Sequence, residues 1–73
     1  MNTAASRQVS KDEFYKPIFG KGLDVHPTIV TDKWPYTSEW TFHHITGRPV
    51  YGRTVGRADG GTDYFVRESF KAA

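Results

Sequence analysis

Four arginines carry the clearest chemical signal in this chain: Arg48, Arg53, Arg57 and Arg67. A guanidinium is a planar fork that donates two parallel hydrogen bonds, so it suits phosphate and carboxylate better than an ammonium does. Trp34, Tyr36, Trp40, Tyr51 and Tyr64 interleave with them. Tyr, Trp and Arg dominate binding hot spots, and the same mixture stacks on single-stranded bases while neutralising their backbone. The charge is distributed to match. Residues 1–47 balance their acids and bases, and the whole formal charge of +2 sits in residues 48–73. On a strand, Arg53 and Arg57 share a face about 13 Å apart, a span that reaches two phosphates of an extended nucleic-acid strand. We therefore expect Arg48, Arg53, Arg57 and Arg67 to contact RNA or an acidic partner, and Trp34, Tyr36, Tyr51 and Tyr64 to contact protein. The competing reading is that the aromatics build the core. Eleven of the 73 residues are Phe, Trp or Tyr, long aliphatics are few, and buried aromatics dominate small cores.

Other chemistry finds less support. His43 and His44 are adjacent, so a strand sends them to opposite faces. His26 is the one other histidine and there is no cysteine, so a closed four-ligand zinc site would need carboxylates. The expectation is no metal, no cofactor and no response to chelators. No nucleophile elbow, phosphate loop or metalloprotease signature appears, and Gly52, Gly56 and Gly60 have the wrong spacing for a dinucleotide fingerprint. A chain this short has little room for a water-excluding pocket of about 300 Å³ or more. The expectation is a protein that is not an enzyme.

The elements that must position these residues are short. Residues 1–9 are polar and aperiodic, which predicts a flexible tail ahead of one domain over 10–73. Ser10 and Glu13 have capping-box spacing, and Phe14, Tyr15 and Ile18 form an apolar stripe that Pro17 should end after one or two turns. Residues 28–31 are β-branched throughout and read as a strand. Strands are also predicted over 39–45, 50–57 and 62–68, joined by turn signals at 46–49 and 58–61. The fold class is α+β: a small antiparallel meander of three to four strands with one short N-terminal helix. Alternation puts Tyr51, Arg53, Val55 and Arg57 on one face of the second meander strand, and Phe70 is expected to tuck against the sheet. The absence of cysteine fits a reducing compartment. The polar start argues against a signal peptide, and no apolar run approaches the roughly 20 residues of a membrane span. A cytoplasmic protein, monomeric when alone, is expected.

The run WTFHHITGRPVYGRTVGR over residues 40–57, with the tail-plus-meander layout, resembles small transcription regulators of Xanthomonas-infecting bacteriophages. That resemblance implies a non-enzymatic protein in the host bacterial cytoplasm that binds host RNA polymerase near the RNA exit channel. It would inhibit promoter-specific initiation and promote antitermination at intrinsic terminators, with nascent RNA as a further partner of the arginines. One alternative is a stand-alone single-stranded nucleic-acid-binding module. Another is a phage inhibitor of a different host complex, although nucleic-acid mimics are strongly acidic and this chain is slightly basic.

Overall fold

Ser10 starts the helix. Its hydroxyl accepts the Glu13 N–H and the Glu13 carboxylate accepts the Ser10 N–H, each at 3.1 Å, completing the predicted capping box. In the computed structural model, which describes residues 6–68, this helix α1 runs Lys11–Lys21 and ends at Gly22. Pro17 therefore lies inside the helix instead of closing it. Its missing N–H and ring clash cost about 3 kcal/mol. Against that, α1 buries Phe14 and Ile18 one turn apart, worth about 1.5–3 kcal/mol each, and the N-cap adds about 1 kcal/mol. Tertiary burial outweighs the local penalty.

The sheet has five strands, where three to four were expected: β1 Ser6–Val9, β2 Val25–Thr31, β3 Thr37–Phe42, β4 Val50–Gly56 and β5 Thr62–Arg67. All neighbours are antiparallel, in the order β1-β5-β4-β3-β2. The meander β2 to β5 is the predicted one with an added edge. The expected tail is corrected over Ser6–Val9, which pairs with β5 from Ser6 opposite Arg67 to Val9 opposite Tyr64. An edge strand that contributes one apolar side chain to the core has no alternation to read, and its partner lies more than fifty residues away. Phe70 falls outside the described residues.

Helix α1 lies on one face of the sheet, and the core forms there from Val9, Phe14, Ile18, Val25, Phe42, Tyr51 and Val66. Phe14 is fully buried, with its ring centroid 5.1–5.4 Å from those of Tyr15, Trp40, Tyr51 and Tyr64. Beneath it lies Gly52. A Cβ at Gly52 would run into the Phe65 carbonyl oxygen and stand 3.1 Å from the Phe14 ring. Gly52 is there because the helix and β5 leave no room for a side chain.

A bulge in β4 decides which residues join this core. Trp40 opposes Gly52 and Thr41 opposes Val50, so Tyr51 is an extra residue on β4. The pleat slips by one at that point. Tyr51 consequently leaves the face of Arg53 and joins Gly52 under the helix, correcting the predicted alternation. Its hydroxyl donates to the Phe14 carbonyl at 2.6 Å in a buried bond, and burial raises its pKa.

Deleting residues 1–9 should remove Val9 from the core and unpair the β5 edge. We expect a loss of at least about 2 kcal/mol by the burial of Val9 alone, read from the denaturant midpoint; an unchanged midpoint would place β1 outside the folded unit. Gly52→Ala should cost about 1–3 kcal/mol from overpacking against Phe14 and the β5 backbone, measured the same way.

Candidate binding face

The face of the sheet opposite α1 is covered by no described helix or strand. Alternation sends Arg53 and Val55 of β4 to it, with Glu39 of β3 and Asp63, Phe65 and Arg67 of β5. Arg53 stands directly opposite Phe65, because the five-residue β4–β5 loop pairs Gly56 with Thr62 and sets every rung above it. The Arg53 guanidinium carbon sits 5.5 Å from the Phe65 ring centroid. Such a contact is worth about 0.5–1 kcal/mol at an exposed site and restrains the arginine against the sheet. Arg67 follows Phe65 by two positions on the same face, about 6–7 Å further along. Among the described residues neither Arg53 nor Arg67 forms an ion pair, so both guanidinium groups keep their donors for a ligand. Glu39, opposite Arg53 on the other side, is the acid that tempers this face.

The other two predicted arginines lie elsewhere in chemistry and in space. Arg57 is spent on its own turn: Nε donates to Asp59 Oδ1 at 3.2 Å and Nη1 donates to Asp63 Oδ1. Those two carboxylates raise its pKa, first through hydrogen bonds and then through charge. Asp63 also accepts from Gln8 Nε2 at 3.2 Å, which fastens β1 to the same corner. Asp59 is held below the ordinary carboxylate value, mainly by the Gly61 N–H at 2.8 Å and then by Arg57. Gly60 carries φ +90° in this loop, as the turn signal predicts. Arg48 sits at the opposite end of the sheet, in the β3–β4 turn, at φ 45° with its N–H donated to Ile45 O. The fold brings together two of the four arginines and adds Phe65, which composition alone did not single out. The turn expected at 58–61 would pair residue 53 with residue 66; the observed five-residue loop over 57–61 shifts the register by one and puts Phe65 there.

The four aromatics divide as sharply. Tyr51 and Tyr64 both pack against Phe14; Tyr51, 2% exposed, is core and has no surface for the expected protein contact, while Tyr64 is half-buried at the edge of that core. Trp34 and Tyr36 are exposed at the tip of the β2–β3 hairpin, with ring centroids 6.0 Å apart and Ile29 and Val30 exposed on the adjoining strand. They form an apolar patch at the end of the sheet that also carries Arg57, since Gly56 N–H donates to Tyr36 O.

A depression of about 450 Å³ on the outer side of α1 is lined by Asp12, Tyr15, Lys16 and Phe19. It is an open surface and not a water-excluding pocket, and its lining sets no nucleophile beside a base. No described helix is long and apolar enough to cross a membrane. Comparisons with protein-family models, curated proteins and solved structures gave no match.

The Arg57 turn makes a signed pH prediction. A carboxylate held below its ordinary value of 3.8 contributes stability above that value and loses it as pH falls through and beneath it. Between about pH 5 and pH 2 the melting temperature of Asp59→Asn should fall less than that of the wild type. Parallel melting curves check this, and equal slopes would remove Asp59 from the acid response.

Proposed function

We propose that this chain is a non-enzymatic binding protein that uses its uncovered sheet face against an anionic partner, and that this partner is RNA leaving bacterial RNA polymerase. The observation that carries the reading is Arg53 over Phe65 with Arg67 beside them, on a face no described element covers. A strand surface with one guanidinium held over a ring and a second beside it, neither in an ion pair among the described residues, suits extended single-stranded RNA. The polymerase enters through the likeness of residues 40–57 to phage transcription regulators. In that role the exposed patch at Trp34 and Tyr36 would hold the polymerase, while the arginine face competes with terminator hairpin formation. The protein would thereby inhibit initiation and promote antitermination in the host bacterial cytoplasm.

The stand-alone single-stranded nucleic-acid module is the second reading, and the same Arg53–Phe65 contact favours it, because that face needs no polymerase to meet RNA. Purified polymerase on a template with an intrinsic terminator separates the two: the first reading requires read-through at protein concentrations where RNA alone is not bound.

Arg53→Glu with Arg67→Glu should abolish read-through while stability stays within about 1 kcal/mol, the scale of an exposed cation–π contact and surface substitutions. On a single-stranded RNA, removing two phosphate contacts should also lower the slope of log affinity against log salt by about 1.4. Arg57→Glu should instead lower the melting temperature with little effect on the salt slope. Full activity of the Arg53/Arg67 double variant would remove this face from function.

A further inference from the structure

We infer that Asp24, His26 and His44 form a binding site for a divalent transition-metal ion of the imidazole-preferring class, such as Zn2+. Beyond the need for carboxylates in a closed four-ligand shell, the expectation of no metal rests on a strand that separates His43 from His44. The two lie instead in the turn after β3, which Phe42 N–H fastens to Pro49 O at 3.0 Å. Val25 opposite Phe42 then sets this turn against the start of β2. There Asp24 Oδ1 lies 2.7 Å from His26 Nε2 and Asp24 Oδ2 lies 3.1 Å from His44 Nε2. One possible ligand atom from each residue falls within 4.8 Å of the others.

Those separations are near what coordination needs. Ligand atoms about 2.0–2.1 Å from a tetrahedral zinc lie about 3.3 Å from one another. Both Asp24 contacts, at 2.7 and 3.1 Å, are slightly shorter than that edge, and the widest separation closes by rotation of side chains that are all exposed. The donor set is two neutral imidazoles and one carboxylate, with water completing the shell; this composition suits Zn2+, Ni2+ and Cu2+ over Mg2+ or Ca2+. Nε2 of each ring must be free of its proton when the ion binds, so the ion competes with protons for the site. The carboxylate also supplies the charge that an exposed pair of imidazoles lacks. His43 stands close, its ring centroid 5.3 Å from that of His26, but it is outside the ligand set and serves as the control. Bound metal would tie the β3–β4 turn, and Arg48 within it, to the first residues of β2. The fold is complete without it, so the site adds stability by mass action and is not a condition for folding.

Titration of the full chain with ZnCl2, followed by isothermal calorimetry and by the imidazole proton resonances, tests this. The expected result is one zinc per chain, perturbation of His26 and His44 rings, and a melting temperature that rises with zinc and returns to the metal-free value with EDTA. Equivalent MgCl2 should do neither. His44→Gln and Asp24→Asn should each weaken zinc at least about tenfold, the scale at which even supporting residues act on metal sites. Their metal-free melting temperatures report whether they fold, and His43→Gln should bind as the wild type does. Absence of saturable binding at millimolar zinc would overturn the proposal. So would loss of binding in His43→Gln with retention in His44→Gln, or undiminished binding in Asp24→Asn.

Discussion

The structure depends on the fit of Phe14 over Gly52. The ring lies 3.1 Å from where a Cβ on Gly52 would stand, four aromatic rings close around it, and the Phe14 carbonyl accepts the buried Tyr51 hydroxyl. This holds the helix to the centre of the sheet by side-chain packing and by a backbone acceptor at once. Edge-to-face ring pairs add about 0.5–1.5 kcal/mol each beyond their burial, so a core of seven buried apolar residues has one well-specified centre. Among the described residues a single helix packs on the sheet, and no described helix or strand covers its second face.

The aromatic and arginine residues divide accordingly. Rings that meet Phe14 are spent on stability; Trp34 and Tyr36 at the hairpin tip and Phe65 beneath Arg53 are not. Arg57 is consumed by Asp59 and Asp63 in holding the β4–β5 loop, and through Asp63 and Gln8 it also secures the edge strand. Arg53 and Arg67 have no such duty. The one-residue slip at Tyr51 is what separates these roles on β4. Without the bulge, Tyr51 would stand beside Arg53 and the helix would lose the hydroxyl that fastens it.

Much of this was legible in the residues. The capping box at Ser10 and Glu13, the three meander strands and the turn at Gly60 follow from local chemistry, and the structure keeps them. What was hidden was non-local. Pro17 reads as a helix end until the burial of Phe14 and Ile18 is weighed against it, and that burial needs the sheet. The β1 strand is silent because edge pairing is made by the backbone. The bulge at Tyr51 cannot be read from alternation, since it is alternation that it breaks. His43 and His44 look divergent on a strand; once that segment is a turn, His44 meets Asp24 and His26 while His43 stays outside the cluster. Of the candidate site, residue types were readable but partnerships were not: Arg53 and Arg57 look equivalent until Asp59 and Asp63 are placed.

Under the proposed function, the face beneath α1 builds the fold and the face opposite α1, covered by no described element, does the binding. Backbone amide and arginine side-chain resonances, recorded while a single-stranded RNA of about ten nucleotides is added, test it most directly. Binding on the face opposite α1 predicts saturable shifts at Arg53, Phe65 and Arg67 that fade with salt, while Phe14, Gly52 and Tyr51 stay still. Shifts confined to Trp34 and Tyr36, or to Arg48 and the turn around it, or none at all, would contradict it.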